Sequence, residues 1–112
     1  MPALKDVVER ASVYWAQLDP TIGSEIQKTR PIVVVSLTPL NRARNTVIVV
    51  PLSTSAPPIE HLNIALQGGS TARCEHVRSI DKSRLRQKIG VLSQADMQAI
   101  EKGLARILGL SR

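Results

Sequence analysis

Apolar positions recur along this chain with two different periods. From Ser12 to Leu18 they alternate with polar ones, Val13, Trp15 and Leu18 standing against Ser12, Tyr14 and Gln17. A period near two predicts a strand with Val13 and Trp15 on one face. Asp19-Pro20 ends it. The stretch Thr21 to Thr29 is polar, holds Gly23 and has no period, which predicts a loop. Pro31-Ile-Val-Val-Val-Ser36 and Thr46-Val-Ile-Val-Val-Pro-Leu52 are continuous β-branched runs, the pattern of strands buried on both faces. Pro51 sets the end of the second run near an edge or a bulge. The polar residues 37–45 between them, with Pro39, suit a helical turn or a loop. Ser53 to Pro58 reads as a turn. Leu62, Ile64 and Leu66 alternate as a half-exposed strand, and Gly68-Gly69 closes it as a hairpin turn. Residues 71–80 are expected to form one strand, with Arg73, Glu75 and Val77 on one side and Cys74, His76 and Arg78 on the other; a bulge would change that phase. Lys88 to Leu92 is a short last strand.

The period then changes. Met97, Ile100, Leu104, Ile107 and Leu108 form one stripe at spacings of three and four, the signature of an amphipathic helix. Ser93 caps its start, Asp96 completes a capping-box-like pair, and Gly109 fits the position past its end. Residues 1–11 have no clear period, although Val7 and Val8 could pack locally. Five or six short strands followed by one helix predict a mainly β fold, a small, strongly twisted barrel with the helix outside it.

At 112 residues the chain has room for one domain, and 43% hydrophobic residues are enough for a packed core. No apolar run reaches the roughly 18–20 residues of a membrane span, and no secretory signal pattern opens the chain. The single Cys74 excludes an intramolecular disulfide and a zinc-finger set, so a cytoplasmic location is expected. Fifteen Lys and Arg against nine Asp and Glu give a net charge of +6, which attracts polyanions. Tyr14 and Trp15 are the only aromatic residues, too few for a base-stacking platform. If RNA is bound, arginines and polar groups must carry the contacts.

Three segments could carry chemistry. The loop from Gly23 to Pro31 packs Ser24, Glu25, Gln27, Lys28, Thr29 and Arg30 together, and Arg30 stands directly before a buried strand. A guanidinium fixed there could hold a phosphate in two bonds and offset charge in a pentacoordinate transition state. Ser53-Thr54-Ser55 offers hydroxyls at a strand end, although such residues also serve ordinary turns. Arg73-Cys-Glu-His-Val-Arg78 sets two arginines, a carboxylate and an imidazole within six residues. Metal-free RNA cleavage needs a base, an acid and cations for the phosphate, and this set has a candidate for each. No His-x-x-His, Cys-x-x-Cys or Asp-rich cluster occurs, and no phosphate-cradling glycine loop, so neither a metal nor a cofactor is expected. His61 lies in a polar stretch and looks merely exposed; Cys74 reads as a small core residue.

From about Arg10 to the C-terminus the chain resembles the MazF/PemK (Kid) family of toxin endoribonucleases. The matching stretches are Val13-Tyr-Trp-Ala-Gln-Leu-Asp-Pro20, Gly23-Ser-Glu-Ile-Gln-Lys-Thr-Arg-Pro-Ile-Val-Val-Val-Ser36, Asn45-Thr-Val-Ile-Val-Val-Pro-Leu-Ser-Thr54 and Glu75-His-Val-Arg-Ser-Ile-Asp-Lys-Ser-Arg-Leu85. The resemblance implies one domain over residues 1–112, with 1–11 a poorly matched extension. It implies an SH3-like barrel of the CcdB/PemK type, paired as a homodimer. It also implies metal-independent, sequence-selective cleavage of single-stranded RNA to a 2′,3′-cyclic phosphate and a 5′-OH. A cognate antitoxin with an acidic tail would occupy the RNA site, operator DNA would be met only through the antitoxin complex, and no membrane is involved.

Arg30 matches the family arginine at the scissile phosphate. Ser53 falls where many members have a catalytic threonine, and Thr54 could substitute for it if the register shifts by one. Glu25 matches a loop carboxylate near the site. Ser24 stands where Kid-type members have a histidine, so an acid–base role is lost there. Arg73 and Glu75 match an arginine and an aspartate of Kid-type members, and His76 replaces a usual glutamine. The implied catalytic residues are thus Arg30, Ser53, Glu25 and Glu75, with Ser24, Gln27, Lys28, Thr29, Thr54, Arg73, His76 and Arg78 on the RNA. Glu75, Glu25 and His76 are open alternatives for proton transfer. Where members read Arg-Gly-Asp, this chain has Arg10-Ala-Ser12, a departure that bears on the local turn, on activity and on the antitoxin contact. The competing readings are a CcdB-like gyrase-binding toxin and a weakened member acting as an RNA- or antitoxin-binding regulator.

Overall fold

A computed structural model describes residues 7–18, 28–55 and 63–110 of the chain. Its elements are β1 (Ser12–Gln17), β2 (Thr29–Val34), α1 (Thr38–Ala43), β3 (Thr46–Ser53), β4 (Asn63–Ala65), β5 (Thr71–Arg73), β6 (Arg78–Asp81), β7 (Leu85–Val91) and α2 (Gln94–Leu108). The expected fold class holds: antiparallel strands and one C-terminal helix. The strands follow the path β4-β5-β3-β2-β1-β7, with β6 also paired to β3, so the small barrel-like sheet is not closed.

The β-branched runs occupy the middle, and both faces of β2 and β3 are covered. On one face Val13, Val33, Val50, Leu52, Ala72 and Cys74 pack against Met97 and Ile100 of α2. On the other, Ala16, Leu18, Ile32, Val34, Val47, Val49 and Ile80 form a second core with Val8. Burying one such side chain is worth about 1.5–3 kcal/mol, so the two layers dominate stability. Strand β1 is also buried on both sides except at Trp15, which is exposed, and this corrects its apparent amphipathicity. Ser12 and Gln17 are buried, and Leu18 joins Ala16 in the second core, on the face away from Val13.

Pro51 lies within β3, where the strand changes neighbours. Residues Thr46 to Val49 pair with β6 and Leu52 to Ser53 with β5, which leaves residues 50 and 51 between the two partners on that side. A residue without an N–H is tolerated there. This exchange overturns the expected single strand over 71–80. Its first part pairs with the end of β3 as β5, its last part pairs with the start of β3 as β6, and a 3-10 turn at Cys74–His76 joins them. Arg73 and Glu75 therefore do not share a strand face. The last strand likewise begins at Leu85, earlier than Lys88, and Thr29 and Arg30 belong to β2, Thr29 pairing with Gln17.

The Gly68-Gly69 turn closes β4 on β5 as expected, with Leu66 N donating to Ser70 O (2.9 Å) and Gly69 at φ +94°. In α2, Ser93 Oγ accepts from Asp96 N (3.1 Å). The Asp96 carboxylate does not complete a box within the helix; Oδ1 accepts from Gln67 N (3.0 Å) and ties the helix start to the hairpin. The helix ends in a Schellman motif, with Leu110 N on Ala105 O (2.7 Å) and Gly109 left-handed at φ +72°. Leu108, expected on the buried stripe, is 55% exposed. Gly103 takes a place on the packed side: a Cβ there would meet Ile64 Cγ1 at 2.9 Å and Cys74 Sγ at 3.1 Å.

The N-terminal segment is tied into the fold through long-range bonds. Arg10 N donates to Thr38 Oγ1 (3.0 Å), its Nε to Val35 O (3.0 Å), and its guanidinium pairs with Glu101 at 2.7 Å. Asn41 of α1 is fully buried; Nδ2 donates to Val8 O and Ser36 O (both 3.0 Å), and Oδ1 accepts from Ser36 Oγ. Ala11, where the family places glycine, adopts the left-handed conformation at φ +78°. Its N donates to Val34 O (2.8 Å) and its O accepts from Leu92 N (2.9 Å), so the turn forms with alanine in place.

Two substitutions test these placements. A left-handed non-glycine residue carries strain of about 1–2 kcal/mol and glycine costs part of that back in chain entropy, so Ala11→Gly should stabilise by up to about 1 kcal/mol. Thermal unfolding should then shift up by roughly 3–6 °C. Gly103→Val adds branched carbons where one Cβ already collides with Ile64 and Cys74, and should lower stability by about 1–3 kcal/mol in urea titration.

Candidate functional site

The candidate site is the polar end of the second core. Alternation along a strand fixes which residues follow the core onto that face. Ile32 and Val34 face the second core, so Arg30 lies on the same side of β2. Val47 and Val49 carry the pattern to Pro51 and Ser53 in β3, and Ile80 carries it to Arg78 in β6. Ala72 faces the first core, which turns Arg73 to the opposite side of β5. The β2–β3 register pairs Ile32 with Pro51; continued by two residues, it sets Arg30 across from Ser53.

The result is a cavity of about 220 Å³ lined by Leu18, Arg30, Pro51, Arg73, His76 and Arg78. Three guanidinium groups and an imidazole meet here, and among the described residues no carboxylate lines the cavity. Arg73 NH2 lies 3.0 Å from His76 Nε2, and Arg73 Nε is buried without a hydrogen-bond partner among the described residues. Arg78 NH1 donates to Leu18 O (3.3 Å). Like charges held together favour an anion entering between them. Larger clefts are poorer in such chemistry: a groove of about 250 Å³ on the first-core side, lined in part by Val13, Leu52, Ile89 and Val91, has Asp96 as its one ionisable lining residue among those described.

Of the residues singled out in the sequence, Arg30, Arg73, His76 and Arg78 come together in this cavity. Ser53 is at the end of β3, half-buried, but does not line the cavity; its Oγ accepts from Ser55 N (3.2 Å). Lys28, Thr29 and Thr54 are exposed beside the ends of β2 and β3. Glu75 is exposed on the 3-10 turn and outside the cavity lining. Ser24, Glu25, Gln27 and His61 lie outside the described residues.

Two arginines near the site escaped the sequence reading. Arg84 NH1 donates to Gln17 O (3.1 Å), and Arg86 NH2 to Gln17 Oε1 (2.9 Å). With Arg78 on Leu18 O, three cations from different segments hold the end of β1. A signal was available: Lys82, Arg84, Arg86 and Lys88 alternate with a period of two.

Fold and cavity together define a small β module built around a patch that selects anions. A family profile described as PemK-like, MazF-like toxin of type II toxin–antitoxin system matches residues 9–108. The chain belongs to that family. Among curated relatives, "Endoribonuclease MazF6" of Mycobacterium tuberculosis is 27% identical over 113 residues, covering 93% of this chain and 99% of the relative. "Endoribonuclease MazF2" of Mycobacterium bovis aligns with the same identity and coverage. A MazE–MazF crystal structure from Deinococcus radiodurans superposes with a TM-score of 0.82 at 21% identity, over 94% of this chain and 98% of that one. A mycobacterial endoribonuclease in complex with its cognate antitoxin gives 0.76 at 24% identity, over 93% and 97%. These two show likeness of fold.

Cys74 shares the 3-10 turn with His76 but points the other way, into the first core, where it is fully buried with Sγ 4.0 Å from Ile100 O. Burial pushes its thiol up to about 11. Roughly one such thiol in a thousand is ionised at pH 8, so Cys74 is a packing residue and no nucleophile. An aromatic disulfide reagent at pH 8 should label the folded chain at least about a hundredfold more slowly than the urea-unfolded chain.

Proposed function

We propose that this member of the MazF/PemK family acts on single-stranded RNA as a metal-independent, sequence-selective endoribonuclease, leaving a 2′,3′-cyclic phosphate and a 5′-OH. The observation that carries the reading is the convergence of Arg30, Arg73 and Arg78 in one cavity. That set suits a phosphodiester, whose charge grows as the 2′-oxygen attacks. Arg30 comes from β2, whose Ile32, Val33 and Val34 are anchored in the two cores, and is well placed to stay fixed while the phosphate changes geometry. Ser53, opposite Arg30 by register, would orient the 2′-OH or bond a phosphate oxygen. Proton transfer falls to Glu25, Glu75 or His76; of the two that lie among the described residues, Glu75 and His76, it is His76 that lines the cavity. Lys28, Thr29 and Thr54 flank the cavity end of the sheet, where the RNA strand would run; Ser24 and Gln27, which would also meet the RNA, lie outside the described residues.

The same positive patch suits the acidic tail of a cognate antitoxin, which would then compete with RNA. The wider reading is a cytoplasmic homodimeric toxin that meets operator DNA only in the antitoxin complex. No helix among the described residues is long and apolar enough to cross a membrane. Nothing in the geometry favours gyrase binding, and the left-handed turn at Ala11 persists without the family glycine, which removes one ground for expecting a weakened protein.

Purified protein should cleave a mixed-sequence single-stranded RNA in the presence of EDTA, with end-group analysis giving cyclic phosphate and 5′-OH. Arg30→Ala removes the fixed guanidinium and should slow cleavage by about a hundredfold or more, since one preorganised donor is worth that much. Arg30 is exposed on β2, so its thermal unfolding should match that of the native chain. Full activity in that variant, or cleavage that stops with EDTA, would sink the assignment.

A further inference from the structure

The contact between Arg73 and His76 has a direction. A guanidinium has only donors, so in the 3.0 Å contact of Arg73 NH2 with His76 Nε2 the imidazole must accept. For that bond to form, Nε2 must carry the lone pair, which is the tautomer with the ring proton on Nδ1. His76 is the one partner of the Arg73 side chain among the described residues, and the Arg73 Nε is buried with none. Among those residues, the orientation of that guanidinium in the cavity rests on one imidazole lone pair.

We propose that His76 is a positioning residue: its neutral imidazole holds Arg73 in the cavity, and protonation of the ring releases it. A protonated imidazole has no acceptor left, and it sets a positive charge beside a guanidinium. Among the described residues the groups facing it offer no relief: Arg30 enters from β2, Arg73 from β5 and Arg78 from β6, with Leu18 and Pro51 beside them. Glu75, the adjacent acid on the same turn, is exposed and outside the lining.

The inference rests on the ribonuclease reading for its kinetic consequence, and on the hydrogen bond alone for its spectroscopic one. Acidification should lower kcat of RNA cleavage while KM stays constant or falls, because the protonated ring adds positive charge to a site that binds phosphate. His76→Ala should lose about tenfold in kcat with unchanged thermal unfolding. His76→Gln, whose amide oxygen can accept the same bond, should recover most of that loss and lack the acidic fall in kcat. The full chain has two histidines, and His76→Gln assigns their nitrogen resonances. In neutral solution the His76 ring should be the Nδ1–H tautomer, and Arg73→Ala should shift it toward the Nε2–H form. A His76→Ala variant with native kcat and native pH profile, a His76→Gln variant that keeps the acidic fall, or a ring indifferent to Arg73→Ala would each overturn the proposal. A native chain that shows the tautomer and its response but cuts no RNA would overturn the ribonuclease reading and leave the positioning bond standing.

Discussion

Strands β2 and β3 run between two apolar layers, and this double burial decides where everything else can go. A strand covered on one face can slip by a residue and re-expose itself at modest cost. A strand covered on both faces loses packing in either direction, so its register is held. Here that register ends at Ile32 opposite Pro51, and its continuation by two residues sets Arg30 on β2 across from Ser53 on β3. The site is the continuation of the second core by alternation, with charge replacing methyl groups where the layer meets solvent. Arg78 and Arg73 arrive by the same rule, because Ile80 and Ala72 have assigned their strands' faces.

Pro51 links the packing to the site. By occupying the gap between β6 and β5 along β3, it lets one strand serve two partners on the same side. The two partners deliver Arg78 and Arg73 from opposite sides of the gap, and the 3-10 turn between them supplies His76. An uninterrupted strand over 71–80 would have separated Arg73 from His76 by placing consecutive residues on alternate faces. The broken strand is thus what makes the arginine–imidazole contact. The end of β1 closes the remaining side, held by Arg78, Arg84 and Arg86 through Leu18 O, Gln17 O and Gln17 Oε1.

Elements whose evidence is local were legible in the sequence. The valine runs named β2 and β3, and Ser93 and Gly109 bracketed α2, because burial on both faces and helix capping each leave a mark within a few residues. Features that depend on distant partners were hidden. Asn41 looks like a polar turn residue, yet it is fully buried because Val8 O, 33 positions away, needs a donor. Gln17 looks like the outer face of β1 until Arg86, 69 positions away, reaches its side chain. The split of 71–80 belongs to the same class: both halves have strand-like composition, and only their pairing to different parts of β3 separates them. At the site, Arg30, Arg73, His76 and Arg78 were named from residue type and family resemblance, but the shared face of Arg73 and Glu75 failed with the strand that was to carry it.

The scarcity of aromatic residues gains a structural meaning here. Tyr14 and Trp15 are adjacent in β1, so they project to opposite faces. Tyr14 packs against the second core, and burial raises its pKa, with Glu9 adding to the shift. Trp15 stands partly exposed on the other side, across from Pro31. No pair of rings can therefore sandwich a base at the cavity. Recognition there has to proceed through charge and hydrogen bonds, and three arginines need a scaffold that holds them together against their own repulsion. The doubly buried strands supply it: moving Arg30 away from Arg73 and Arg78 would mean dragging Ile32 and Val34 out of the second core, which costs more than the screened repulsion between partly exposed cations can return.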